Sequence, residues 1–150
     1  MTGNIRFKVL PNIKLTLVYY EGNITLAVLF EHLTRLGSHE SYNAEFNTIS
    51  DFGTCVFEVN NKIIKEAADF VKKDTRTLGK RKNALLFRDP KQQVITSLFS
   101  MVVGEILINY NIVPNFRKAT EFIELKPKHF KIAKAALITL SGKKGKQVEI

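Results

Sequence analysis

The sequence predicts an α/β protein in which helices pack a mixed sheet of four or five strands, with an N-terminal hairpin and a C-terminal helix. Three observations support this prediction. The 150 residues have the length of one ordinary domain. Apolar residues alternate with polar ones at the start of the chain, and segments of strand and helix periodicity then follow in turn. Strands that alternate with helices are joined by crossovers, which favours parallel pairing after the hairpin.

The first forty residues predict the hairpin and one helix. Apolar and polar residues alternate over residues 5–9 and again over 15–19, with a Pro-Asn turn between them. Thr25 is a suitable N-cap, and leucine and phenylalanine recur after it at helical spacing until Gly37. We therefore expect an amphipathic helix that ends at this glycine.

The middle of the chain predicts a third strand and a second helix. Residues 45–52 are predicted as a buried strand and 53–59 as a loop or short extended piece. A second helix follows, capped by Asn60 or Asn61. Next comes a basic connection over 76–82, and its cations are expected to face water. They are Arg76, Lys80, Arg81 and Lys82, and a solvated loop is favoured over an anion site.

The last third predicts a short strand at 84–87 and a third helix from Asp89-Pro90 to about Ile108. A strand at 111–116 is expected at the sheet edge because Pro114 cannot donate a backbone hydrogen bond. Helices are predicted at 118–125 and 127–140, with a frayed end at 141–150. We accordingly divide the chain into a domain (1–125) and a basic C-terminal helix and tail (126–150).

Composition excludes several classes of protein. Hydrophobic residues make up 45% and charged residues 25% of the chain, which is typical of a soluble globular protein. No apolar run approaches the ~20 residues of a membrane span, and the first residues form no apolar signal segment. The single cysteine, Cys55, cannot form an internal disulfide. We therefore expect a cytoplasmic protein.

The positive charge is concentrated in the tail. Residues 126–150 contain seven lysines against one glutamate, and so carry most of the formal net charge of +9. This unevenness argues against nucleic acid as a partner of the domain. The tail helix is expected to dock on the domain, with an anionic membrane surface or RNA as alternatives. The residues for such a peripheral anionic contact are Lys128, Lys131 and Lys134.

No catalytic constellation stands out in the sequence. A phosphate loop fails on spacing around Gly79, and the three histidines form no metal-binding pattern. Cys55 is either a nucleophile approached by His39 or an inert core residue, and the second is favoured. Asp51 is either a ligand group at the carboxyl end of a strand or a cap for loop amides. We predict no enzyme activity, cofactor or metal.

The third helix indicates self-association. A predicted sheet-facing stripe consists of Val94, Ile95, Leu98, Met101, Val102 and Ile106. Phe99, Val103 and Leu107 extend the apolar surface further as an i, i+4, i+8 row. This row is covered either by the C-terminal helix or by the same helix of a second copy, and a homodimer is favoured.

Four segments carry a resemblance to a known family. They are the strand-turn-helix 19–25, the strand 47–52, the run 79–87 and the strand-helix pair 113–124. Over residues 5–125 the chain resembles the SpoIIAA-like group, the fold of the anti-sigma-factor antagonist and sulphate-transporter (STAS) domains. It is most similar to the small stand-alone bacterial members.

The resemblance implies a non-catalytic module that binds either a protein or an apolar ligand. Family members that are phosphorylated carry a serine after the third strand, whereas this chain has Asp51-Phe52-Gly53-Thr54 there. The phosphorylation switch is therefore not carried over. The candidate ligand or partner site at this position is Asp51, Thr54 and Phe57.

Two functions are consistent with these patterns, and an enzyme of unknown type is a weaker third. The first is a regulatory or protein-interaction module. The second is a binding protein for a small apolar or amphiphilic, lipid-like molecule. Aromatic residues are expected to line its cavity, namely Phe46, Phe52, Phe57, Phe99 and Tyr110.

Overall fold

The computed structural model describes residues 2–142, in which seven strands and five helices are formed. The strands are β1 (Asn4–Leu10), β2 (Leu15–Glu21), β3 (Asn23–Ile24), β4 (Asn47–Asp51), β5 (Val56–Phe57), β6 (Arg81–Leu86) and β7 (Ile108–Val113). The helices are α1 (Leu26–Ser38), α2 (Asn61–Lys73), α3 (Pro90–Val103), α4 (Phe116–Phe122) and α5 (Phe130–Leu140). The predicted frayed end falls mostly on residues 143–150, which lie outside the described residues.

Five strands form one mixed sheet in the order β1-β2-β4-β6-β7. β1 pairs with β2 as an antiparallel hairpin, and every other pair in this sheet is parallel. β3 and β5 form a separate parallel pair. The predicted fold class is confirmed at this level. β7 lies at the edge as expected, but the strand predicted at 111–116 starts three residues earlier, at Ile108.

Helices cover both faces of the sheet. On the first face, Leu17, Ile49 and Leu86 pack against α4 and α5. On the second face, Val18 and Leu85 belong to a cluster that partly buried residues of α1 complete, and α2 and α3 pack beside it. The core of the sheet includes four buried strand residues, namely Leu17, Ile49, Leu85 and Leu86.

The capping residues of three helices are those the sequence predicts. The side chains of Thr25, Asn60 and Asp89 each accept a hydrogen bond from a backbone N–H of the first turn of their helix. Among residues 2–142, none of the helices combines the length and apolar character needed to cross a bilayer.

α5 contributes directly to the core of the first face. Ala133 and Leu137 are fully buried in the same cluster as Phe116 of α4. The Phe130 ring lies edge-on to Phe116, with 5.3 Å between ring centroids. Arg6 of β1 also donates a 2.8 Å hydrogen bond from Nε to the carbonyl oxygen of Leu140. The tail helix thus docks on the domain as expected, while the division at residue 125 stays a prediction.

α3 ends earlier than predicted. Gly104 adopts a φ of 65°, a left-handed conformation that ends the helix, and β7 begins at Ile108. Leu107 therefore lies outside the helix, and Val103 is buried against Ala68 and Val71 of α2. The predicted row of Phe99, Val103 and Leu107 does not form, so it supplies no dimer face.

The α3 helix is also rotated relative to the sequence prediction. Gln92 is buried, and its Nε2 donates to the carbonyl oxygens of Phe52 and Cys55 at 3.1 and 2.9 Å. This anchoring turns the face that contains Gln92 inward. Three more residues share that face, namely Thr96, Phe99 and Val103. Most of the predicted sheet-facing stripe points to solvent instead, and its exposed members are Val94, Leu98, Met101 and Val102.

Candidate functional site

A cavity of about 140 Å³ lies between the second face of the sheet and helices α1, α2 and α3. We call it the inner cavity. Protein interiors normally pack with few voids larger than a water molecule. An engineered apolar cavity of about 150 Å³ in another protein takes up benzene. The inner cavity is therefore large enough for a small organic molecule.

Polar residues of the central strands form part of the cavity floor. Thr48 of β4 pairs in register with Asn83 of β6, which in turn pairs with Tyr110 of β7. Ser50 also lines the cavity and donates a 3.0 Å hydrogen bond to Oδ1 of Asn83. Central strands covered on both faces are usually apolar throughout. This polar band is an exception, and it lies where the cavity is.

Arg81 is a buried cation in the wall of the cavity. Only 8% of its surface is exposed, so the prediction that it faces water in a solvated connection is wrong. Its Nη1 donates to the carbonyl oxygens of Thr77 and Ala44 at 2.6 and 3.0 Å. Its buried Nε has no hydrogen-bond partner. No acidic side chain within residues 2–142 forms an ion pair with Arg81.

His32 of α1 is a second buried polar group in the wall. It is 2% exposed, its Nδ1 has no hydrogen-bond partner, and its ring lies about 6 Å from the rings of Phe7 and Tyr20. Burial, and secondarily the charge of Arg35, lowers the pKa of His32 to about 3. The imidazole is therefore neutral at pH 7.

The two ends of the cavity differ in polarity. Arg81 opens β6 and lies at the amino end of the parallel strands, whereas Phe52 follows β4 at their carboxyl end. Phe57 and Ile63 also line the wall, and both are apolar. Phe52 lies edge-on to Phe57 at this apolar end, with 5.2 Å between their ring centroids. A cation at one end and aromatic rings at the other are suited to an amphiphilic molecule.

The cavity contains most of the aromatic residues expected from the sequence. Phe52, Phe57, Phe99 and Tyr110 line it, and Phe46 does not. Phe99 lies edge-on to Tyr110, with 5.6 Å between their ring centroids. Burial raises the pKa of Tyr110 to about 12, and the charge of Arg81 opposes this rise.

The structure places the residues of the predicted site, Asp51, Thr54 and Phe57, in different surroundings. Asp51 is buried and accepts hydrogen bonds from the Gly53 amide at 2.9 Å and from Arg88 Nη2 at 2.8 Å. It therefore caps the loop, as the structural alternative predicted. Thr54 is exposed, and only Phe57 lines the inner cavity.

Cys55 is an inert core residue. It is 1% exposed, and burial, followed by the charges of Asp89 and Asp51, raises the pKa of its thiol to about 12. The thiolate needed for nucleophilic attack is therefore scarce at neutral pH. His39 is exposed at the end of α1. Within the part of the chain that the structure describes, no cluster of three or more histidine, cysteine or acidic residues is arranged to hold a metal ion.

The tail lysines differ in exposure. Lys128 and Lys131 are exposed, and Lys134 is half-buried, so an anionic-surface contact through all three stays a prediction.

Comparisons of the chain with protein-family models, curated proteins and solved structures gave no match. The resemblance to the SpoIIAA-like group stays a prediction.

Proposed function

We propose that this chain is a binding protein for a small apolar or amphiphilic molecule held in the inner cavity. The observation that carries the proposal is that two exceptions to normal packing coincide. Interiors are close-packed, and their buried polar groups are hydrogen-bonded. Here a cavity of about 140 Å³ is lined by two buried polar residues with unpartnered nitrogens, His32 and Arg81. A binding site for a small molecule accounts for a cavity with such a wall.

Toluene is a suitable probe because it is close to benzene in size. We expect it to raise the melting temperature of the protein, since a ligand that binds only the folded state stabilises that state. The Ala67→Leu variant adds a larger side chain to the cavity wall and should abolish most of this rise. The Ala27→Leu variant makes the same change at an exposed position of α1 and should respond like the wild type. No response of the wild type, or an equal response of A67L, would contradict the proposal.

A protein-interaction module is a second candidate function, because α3 presents an apolar stripe to solvent. Met101 is 77% and Val94 57% exposed, and Leu98 and Val102 lie on the same side of the helix. Apolar surface of this kind marks contact sites on soluble proteins. A second copy of the chain is the simplest partner, because isologous pairing is the commonest route to a dimer.

Sedimentation velocity tests this second candidate. We expect a wild-type dimer at micromolar concentration and a folded monomer for the double variant L98K/M101K, whose changes replace exposed residues. Charges at Val103 are unsuitable for the test because that residue is buried. A monomeric wild type, or a dimeric double variant, would reject the dimer.

A further inference from the structure

Arg81 indicates what kind of molecule the inner cavity holds. A guanidinium is charged at every physiological pH, and a buried charge is costly unless it is paired. Both hydrogen bonds of Arg81 use Nη1 and end on backbone carbonyl oxygens, which carry only partial charge. The buried charge of Arg81 therefore lacks a counter-ion among residues 2–142.

The hydrogen bonds of Arg81 leave one guanidinium nitrogen for a ligand. Nη1 donates to the carbonyl oxygens of Thr77 and Ala44, Nε is buried, and Nη2 makes no hydrogen bond within the described chain. A hydrogen bond from a guanidinium N–H to a carboxylate oxygen is assisted by charge and therefore strong. Arg81 lines the cavity.

The rest of the cavity wall indicates that the remaining part of the ligand is apolar and small. Apolar and aromatic residues dominate it beyond the polar floor, and the end opposite Arg81 is formed by Phe52 and Phe57. A volume of about 140 Å³ accommodates a ring or a short alkyl chain rather than a long acyl chain. One cation in the wall balances one negative charge.

We propose that the molecule bound in the inner cavity is a small monocarboxylate, with its carboxylate on Nη2 of Arg81 and its apolar part directed toward Phe52 and Phe57. This inference rests on the proposed binding function and adds the charge and head group of the ligand. Ser50, Asn83 and Tyr110 on the cavity floor supply further hydrogen-bonding groups between the two ends.

Three probes of equal chain length separate the head group from the apolar part, namely hexanoate, 1-hexanol and hexylamine. Calorimetric titration of the full chain at pH 7 should show hexanoate binding at least about tenfold more tightly than 1-hexanol, because hydrogen bonds to a charged group are the strong ones. Hexylamine, which is a cation at this pH, should show no binding. Equal affinities for hexanoate and 1-hexanol would overturn the inference without the need for any variant.

Variants at Arg81 test whether this residue causes the preference for hexanoate over 1-hexanol. In R81M the ratio of hexanoate to 1-hexanol affinity should fall to about one. The R81K variant keeps the positive charge but replaces the planar guanidinium, and it should retain part of the preference for hexanoate. R76M removes the same charge from an exposed position nearby and should keep the wild-type ratio. A wild-type ratio in a folded R81M would overturn the inference. Should R81M fail to fold, the comparison of the three probes in the wild type decides.

The result with toluene shows whether a negative outcome rejects only the carboxylate ligand or the binding function as well. Toluene binding without a preference for hexanoate would reject the carboxylate and retain the cavity as a binding site. Absence of binding by toluene, hexanoate and 1-hexanol alike would reject both proposals.

Discussion

Replacement of Leu137 by aspartate is expected to unfold the protein at room temperature, whereas the same replacement at Ile132 should leave it folded. Leu137 is 1% exposed in the core of the first face, and Ile132 on the same helix is 54% exposed. Loss of a buried leucine side chain alone costs about 2–5 kcal/mol, and a buried carboxylate without a partner adds several more. That total approaches the whole stability of a typical domain, about 5–15 kcal/mol.

Urea denaturation followed by circular dichroism measures the difference between L137D and I132D. The comparison also separates the effect of lost packing from the effect of changed charge. Both variants keep every tail lysine and carry the same new aspartate. The comparison thereby tests the expectation that the tail helix docks on the domain. If L137D were as stable as I132D, residues 1–125 would fold without the tail helix, and the tail would be free to act as a separate anionic-surface contact.

The buried neutral His32 should make the protein lose stability as the pH falls. Its pKa is about 3 in the folded protein and about 6.5 when the chain is unfolded. Below pH 6.5 the unfolded chain binds a proton that the folded protein excludes, so the free energy of unfolding falls with the pH until about pH 3. The contribution of His32 is thus fully present above pH 6.5. Its loss amounts to about 1.4 kcal/mol for each pH unit within this window.

A His32→Leu variant isolates this contribution. Between pH 7 and pH 5, the wild type should lose roughly 2 kcal/mol more stability than H32L, because leucine has no proton to bind. Arg35 on the same helix and Tyr20 of β2 are unchanged in this comparison. H39Q, which changes an exposed histidine, is the control and should follow the wild type. Parallel curves for wild type and H32L would show that His32 takes up its proton equally well in the folded protein.

The alternation of apolar residues and the helix caps were sufficient to predict the sheet and its hairpin. The capping hydrogen bonds of Thr25 and Asp89 lie within one helical turn. They can therefore be predicted from residues that are close in the sequence. The orientation of α3 is a different case. Its apolar residues surround most of the helix, and the inward face is selected by Gln92, whose partners Phe52 and Cys55 lie some forty residues earlier. The spacing of apolar residues within the helix does not predict such a long-range contact.

The residues of the inner cavity were only partly predictable, for a related reason. The aromatic residues were expected there because large rings seek burial, and four of the five line the cavity. Arg81 was expected in a solvated connection because charged residues are usually exposed, and no sequence pattern predicted the burial of His32. The available signal was the polar content of β4 and β6, which together contribute Thr48, Ser50, Arg81 and Asn83 to one buried face. Once both faces of these strands are known to be covered, that pattern indicates a site.

The measurement that tests the binding account most directly is an NMR experiment on the wild-type protein with toluene. Nuclear Overhauser effects between toluene protons and side-chain methyl groups report which residues the ligand contacts. We predict effects to the methyl groups of Leu29, Ile63 and Leu85, which line the inner cavity, and none to those of Leu17, Ile49 and Leu137 in the core of the first face. Effects confined to the first face or to the exposed stripe of α3, or no effects at all, would contradict the account.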